Sequence, residues 1–273
     1  MKAARMRVLV TGGSSGIGRA LAAELHRRGA AVLLVGRDGA ALEQALESMR
    51  GRSLRADACV ADLATAAGRA HVAATAASWG GPGINVLVNN AGLGEFGLLS
   101  QADDAAIERL FAINAIAPVL LTRALLGQLA AQPEAVILNV GSVFGSLGYP
   151  GFAAYSATKF ALRGFTEALR RELADTRVGV RYFAPRATRT GMNADAVERM
   201  NVELGVAMDP PATVAAAACN LLETGRLEAV FGWPEKLFVR INALLPRVVD
   251  ASLRKQLPVI RRHAAAALAG RAP

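Results

Sequence analysis

Between an apolar run, Met6 to Val10, and a helix-period pattern carrying Leu21, Leu25 and Arg28, the chain reads Thr11-Gly12-Gly13-Ser14-Ser15-Gly16-Ile17-Gly18. A strand feeding a glycine turn and then a helix start aims bare backbone N–H groups and the positive end of the helix dipole at one point. That arrangement holds a phosphate. Missing side chains at Gly12, Gly16 and Gly18 permit a tight turn and close approach of a pyrophosphate, with Ser14, Ser15 and Ile17 completing the loop.

Further apolar runs follow at Ala31–Val35, Arg55–Val60, Ile84–Val88, Ala135–Val140, Val178–Phe183 and Glu228–Phe231, separated by helical stretches. Strands alternating with helices predict a parallel sheet covered on both faces. Several runs end in residues suited to a ligand. The second ends in Gly36-Arg37, where dinucleotide sites that bind ribose hydroxyls carry an acid. A guanidinium at that place suits the 2′-phosphate of NADP instead. Asp38 reads as the cap of the next helix. The fourth run ends in Asn89-Asn90-Ala91-Gly92, the fifth in Gly141-Ser142, and the sixth in Ala184-Pro185-Arg186.

Thirteen residues past Ser142 stands Tyr155-Ser156-Ala157-Thr158-Lys159, followed by good helix formers. Positions four apart share a helix face, so Tyr155 and Lys159 project together. A phenol titrates near pH ~10, and a neighbouring ammonium stabilises its phenolate. The pair reads as a proton donor and acceptor, with the Ser142 hydroxyl placed to orient a carbonyl or alcohol oxygen. The spacing alone is common, and its significance comes from the other motifs.

Bulk composition sets the frame. A chain of 273 residues, 53% hydrophobic, can bury one large core. Cys59 and Cys219 lack metal-ligand spacing and suit a reducing, cytoplasmic setting, and three scattered histidines predict no metal site. No export signal is expected at the start, and no uninterrupted membrane span anywhere. The formal net charge of +9 is concentrated late. From Lys236 onward, Arg240, Arg247, Arg254, Lys255, Arg261, Arg262 and Arg271 oppose Asp250 alone.

In order and spacing, the glycine loop, Asn89-Asn90-Ala91-Gly92, Asn114, Ser142 and Tyr155…Lys159 resemble the short-chain dehydrogenase/reductase family over nearly all of residues 6–231. The resemblance implies a Rossmann-type, doubly wound parallel sheet of about seven strands, order 3-2-1-4-5-6-7. Residues 1–232 would form the NADP-binding catalytic domain and residues 233–273 a basic, apolar helical extension of it. It further implies Tyr155 as general acid/base, Ser142 polarising the substrate oxygen, Lys159 lowering the tyrosine pKa and holding the nicotinamide ribose, and Asn114 anchoring a proton-relay water. Cofactor contacts would come from Gly12, Ser14, Ser15, Gly16, Ile17, Gly18, Arg37, Asp62, Leu63, Asn89, Ala91, Gly92, Tyr155, Lys159, Pro185, Thr188 and Thr190.

Two departures stand out. Arg186 occupies a place where the family usually has glycine, and reads as a side chain turned to solvent or as a cation near the nicotinamide. The paired-glycine ending of tetrameric relatives is replaced by Phe231-Gly232-Trp233-Pro234 and the basic tail. A homodimer is expected in place of the tetramer. In the tail, Leu237, Phe238, Ile241, Leu244 and Leu245 recur at helical spacing. That pattern fits a pocket wall first and a peripheral membrane contact second.

The expected substrate is a small apolar molecule: a lipid, steroid, ketone or acyl thioester, including the 3-oxoacyl-carrier-protein type. Val143, Phe144, Tyr149, Phe152 and Met192 would contact it, within a stretch from Thr190 to Met208 read as a mobile lid. The competing readings are a non-catalytic NADP-binding regulator, which the intact Asn114, Ser142, Tyr155 and Lys159 set argues against, and a nucleic-acid partner. The latter lacks any groove-reading motif.

Overall fold

The computed structural model describes residues 1–51, 54–192 and 195–269. Seven parallel strands form one sheet in the order β3-β2-β1-β4-β5-β6-β7: β1 Arg7–Thr11, β2 Ala31–Gly36, β3 Ala56–Val60, β4 Val86–Asn89, β5 Ala135–Val140, β6 Val178–Pro185 and β7 Glu228–Phe231. Successive side chains on a strand point to opposite faces, so each run serves two cores. Val8, Val10, Val32, Leu34, Val86 and Val88 pack under α1 (Gly16–Arg27), α2 (Gly39–Glu47) and α8 (Pro211–Thr224). Leu9, Leu33, Leu87 and Ile137 meet α3 (Ala66–Ser78), α5 (Ala117–Ala130) and α6 (Ala153–Glu172) on the other face. Burial on both faces explains why these runs are uniformly apolar and not alternating.

A continuous helical stretch, Asp104–Ala130, is long and apolar enough to cross a membrane by length and composition. It contains α4 (Asp104–Phe111), a π-helical turn over Ala112–Ile116, and α5. Its Leu121, Leu125 and Leu129 are buried in the sheet-facing core, which accounts for the apolarity.

Within the expected lid lies α7 (Asp195–Glu203); residues 193 and 194 of that stretch lie outside the described residues. Ala196, Val197 and Met200 of α7 pack with Phe96 against Ile260 and Ala264 of the last helix, so α7 is a packed element of the body. The tail after Gly232 folds as α9 (Glu235–Leu244) and α10 (Pro246–Ala269), with the break at Leu245-Pro246. Val239 and Val249 bury against Val143 and Leu147. Two polar bonds fasten the same region: Tyr149 Oη donates to Gln256 Oε1 (2.6 Å), and Asn242 Nδ2 donates to the Ser146 carbonyl (3.0 Å). Gly151, at φ +81°, lets Phe96 and Ile260 close in, since a Cβ there would lie 2.8 Å from the phenylalanine ring. Arg271 lies outside the described residues.

Candidate active site

β1 neighbours both β2 and β4, so the chain runs outward one way through β2 and β3 and then resumes on the other side at β4. The loops leaving β1 and β4 diverge there, opening a crevice at the carboxyl ends of the strands. The glycine loop is built for it. Gly12 and Gly16 hold φ of +66° and +52°. A Cβ on Gly12 would lie 2.9 Å from Ala91 Cα, and one on Gly18 only 2.1 Å from the Gly12 carbonyl oxygen. Ser15 caps α1 without a side-chain hydrogen bond, which leaves first-turn N–H groups for an anion.

Asn90 ties the two loops together. Its Nδ2 donates to the Thr11 carbonyl (2.9 Å), while Thr11 Oγ1 accepts from the N–H groups of Asn90 and Ala91 (2.9 Å each). The neighbouring Asn89 faces inward. Its Nδ2 donates to Thr122 Oγ1 (3.0 Å) and Asn139 Oδ1 (2.8 Å), and Asn139 passes the chain to Thr166 (2.9 Å). Asn89 therefore braces β4 against β5 and α5, and it is Asn90, not singled out in the sequence, that faces the crevice.

The crevice deepens into a cavity of about 510 Å³. Gly12, Ser15, Gly16, Ile17, Ala91, Gly92, Pro185, Thr188 and Thr190, all expected cofactor contacts, line one end of it, and Ser142, Tyr155 and Lys159 its floor. All five expected substrate contacts, Val143, Phe144, Tyr149, Phe152 and Met192, are in its walls. Ser14, Gly18, Arg37, Asp62 and Leu63 are outside that wall set. Leu63 is buried in the core, Asp62 accepts the Ala64 N–H (3.0 Å), and Arg37 is exposed at the end of β2.

Ser142 caps a short 3₁₀ turn, Val143–Gly145, its Oγ accepting from Phe144 N–H (3.1 Å). Tyr182 on β6 supports that turn from below: a Cβ on Gly141 or Gly145 would strike its hydroxyl at 2.1 or 2.4 Å. Nothing in the pattern of residues around Tyr182 announces this support. Asn114 spends its side chain on Leu93, accepting from its N–H (2.8 Å) and donating to its carbonyl (2.9 Å), and reaches Thr158 Oγ1 (3.2 Å). Four residues on, Pro118 has no N–H, so the Asn114 carbonyl lacks its ordinary α-helical donor. The turn around it is π-helical.

Lys159 Nζ donates to the Val140 carbonyl (3.3 Å) and stands 5.7 Å from the centroid of the Tyr155 ring. Burial pushes the Tyr155 phenol up to about 12, and its hydrogen bond with Ser142 offsets that only in part. Burial likewise pulls Lys159 down to about 8. Phe144 and Phe152 set their rings edge-on to Tyr155, with centroids 6.4 and 6.2 Å away, and this apolar jacket makes desolvation win in the protein alone.

Arg186 is neither turned to solvent nor aimed at the floor. It pairs with Asp209 and Glu235, and Nη1 donates to the Trp233 carbonyl (2.7 Å). The tail completes the cavity with Trp233, Phe238, Val249, Ser252, Leu253 and Gln256. The tail's helical spacing signalled a wall, but no motif told which residues would face inward.

Mouse dehydrogenase/reductase SDR family member 7B is 32% identical over 194 residues, covering 70% of this chain and 60% of its own length. Bovine 3-ketodihydrosphingosine reductase is 34% identical over 188 residues, 67% of this chain and 56% of its own. The chain thus spans less than two thirds of the length of those two relatives. A short-chain dehydrogenase from Sphingobium yanoikuyae in complex with NADPH superposes with a TM-score of 0.75 at 28% identity, covering 90% of this chain and 95% of that one. The short chain dehydrogenase family model matches residues 6–201, and the chain belongs to the short-chain dehydrogenase/reductase family.

Proposed function

We propose that the protein is an NADP(H)-dependent oxidoreductase interconverting a carbonyl and a secondary alcohol on a neutral, apolar substrate. The observation carrying this reading is the convergence of Ser142, Tyr155 and Lys159 at the floor of one cavity whose walls are mostly apolar. Residues 1–232 carry the cofactor and catalytic groups in this reading, and residues 233–273 extend the same domain over the cavity.

The glycine cradle of Gly12, Gly16 and Gly18 with the start of α1 fits a pyrophosphate. Arg37, with no acid at the strand end, fits a 2′-phosphate, which favours NADP over NAD. When bound, the nicotinamide supplies or accepts the hydride. In reduction Tyr155 donates its proton to the oxygen of the carbonyl as hydride reaches the carbon, and Ser142 Oγ holds that oxygen in line. A phenol is protonated at neutral pH, so its proton is present to be given. Lys159 stabilises the phenolate left behind, keeping its own charge when ribose hydroxyls accept from Nζ. A water on the Asn114 carbonyl returns the proton from solvent.

The cation nearest the site, Arg186, is neutralised by Asp209 and Glu235. Lys159, the other cation among the described cavity-lining residues, is committed to the Val140 carbonyl beside Tyr155, so the lining offers no free cation to a phosphate or carboxylate on the substrate. The bovine relative's name, 3-ketodihydrosphingosine reductase, points the same way. NADPH absorbance with a panel of ketones of increasing length, in wild type and Tyr155→Phe, tests the reading. Turnover of apolar ketones by wild type, reduced at least ~100-fold by the variant, is expected. Cofactor binding with no turnover across the panel would favour the non-catalytic regulator.

A further inference from the structure

One face of α9 builds the cavity, and its other face is bare. Of fifteen large hydrophobic side chains exposed among the described residues, six fall between positions 233 and 248: Trp233, Leu237, Phe238, Leu244, Leu245 and Val248. Trp233 is 68% exposed and Leu244 79%. At 3.6 residues per turn, the exposed Leu237, Phe238 and Leu244 fall within an arc of about 120° on α9, opposite the buried Val239; the half-buried Ile241 of that arc packs toward the core, and the exposed Leu245 follows at the helix end. Lys236 and Arg240 border that arc, Arg247 follows in the elbow, and Arg254 and Lys255 extend the charge along α10; all five are exposed. Acidic residues are sparse here, and Glu235 is already held by Arg186. Further along α10, by contrast, Arg262 and His263 are engaged with Glu203 of α7.

The bare face adjoins the way into the cavity. Met192, Trp233 and Phe238 line the cavity and are also exposed, so they form its rim. An apolar arc bordered by one sign of charge is what a helix needs to lie in the interface of an anionic bilayer. An acidic protein would match the charge but would leave six large apolar groups without a use.

We propose that the α9–α10 elbow docks the protein on an anionic lipid surface, with the cavity rim facing the bilayer so that apolar substrate passes directly from membrane to Tyr155. The passage of substrate rests on the oxidoreductase reading above, and the docking does not. Each basic residue near an anionic surface is worth roughly fivefold in partitioning, so five acting together suffice for reversible attachment.

The protein carries its own reporter. It has two tryptophans, and Trp79 is 4% exposed in the core, so any change in emission on adding vesicles reports Trp233. The full chain is titrated with vesicles of phosphatidylcholine alone and of phosphatidylcholine mixed with phosphatidylserine, reading Trp emission and sedimentation at low and high salt. A blue shift and sedimentation with the mixed vesicles, weakened several-fold by salt, are expected. The double variant Leu244→Glu/Leu245→Glu should lower binding at least ~10-fold while keeping thermal stability and NADPH binding. Lys236→Glu/Arg240→Glu should do the same for anionic vesicles. Absence of wild-type binding to the mixed vesicles, or binding that neither double variant alters, would overturn the proposal. So would a concentration-dependent dimer lost in Leu244→Glu/Leu245→Glu without vesicle binding, which would assign the face to a second copy of the chain. Vesicle binding is read without turnover, so failure of the catalytic assignment leaves a distinct result.

Discussion

Arg186 and Asp209 meet through two parallel hydrogen bonds, Nε to Oδ2 at 2.7 Å and Nη2 to Oδ1 at 2.9 Å, with each side chain only 15% exposed. Asp209 sits where the chain returns from α7, its N–H donating to the Ala187 carbonyl (2.9 Å). The same guanidinium holds Glu235 and the Trp233 carbonyl at the root of the tail. One residue thus joins the end of β6, the α7 segment and the C-terminal helices around the cavity. Gly232, at φ +113°, makes room for it, since a Cβ there would lie 2.4 Å from Arg186 Cδ.

Breaking this junction from one side leaves a largely buried charge without its partner. Arg186→Met is expected to cost about 2–4 kcal/mol, and Asp209→Asn a similar amount, lowering Tm by roughly 5–10 °C. Because both act on one pair, the double variant should lose far less than the sum, and thermal denaturation of all four proteins checks this. Additive losses would show that the pair is not the unit.

The cofactor preference should reside in Arg37. Losing a charge-assisted phosphate contact costs about 1.5–3 kcal/mol, so Arg37→Asp should weaken NADPH binding ten- to a hundredfold and bring NADH closer. Fluorescence titration of both dinucleotides measures it. Wild type binding NADH as tightly as NADPH would remove the basis for the assignment.

Burial of Lys159 makes a pH-dependent demand on the ligand-free fold. Its pKa is about 8 in the folded protein against 10.5 for the free side chain. Between those values the unfolded chain binds more protons than the folded one, so this group's contribution to stability rises with pH. Below pH 8 the folded state bears the full cost of a desolvated charge, on the order of 3 kcal/mol. Lys159→Met should therefore be more stable than wild type at pH 7, with the gap closing toward pH 10. Tyr155, raised to about 12, acts in the opposite sense, its stabilising proton retained in the fold but lost from the unfolded chain above pH 10. Urea denaturation at a series of pH values reads both limbs. A Lys159→Met gap that stays constant with pH would contradict the desolvation argument.

Leu253 faces the cavity from α10, half-buried beside Val249. Leu253→Trp should fill part of the 510 Å³ space and exclude long substrates while sparing short ones. The expected outcome is a KM increase of at least ~10-fold for the longest accepted ketone, with little change for the shortest. Equal effects on both would place the substrate elsewhere in the crevice.

What was legible in the residues and what was not divides by the range of the interactions. The glycine loop, the seven runs and their order of alternation, and the helix carrying Tyr155 and Lys159 rest on local rules: φ above zero at Gly12 and Gly16, strands covered on two sides, four-residue helical spacing. Those rules act within a few residues, so each could be read from the chain and appears in the fold with shifts of a residue or two. Other outcomes depend on partners far along the chain. Arg186 found Asp209 and Glu235, 23 and 49 positions away, and became a junction. The burial that raises the Tyr155 phenol and lowers the Lys159 ammonium in the protein alone comes from tertiary packing, which four-residue spacing does not encode. Asn89 and Asn90 are adjacent and chemically identical. Only the pleat of β4 and the position of Thr11, Thr122 and Asn139 decided that one braces the sheet and the other faces the crevice. The tail's amphipathic period was plain in the sequence, but which arc would be buried depended on where Val143, Leu147 and Phe96 waited to receive it.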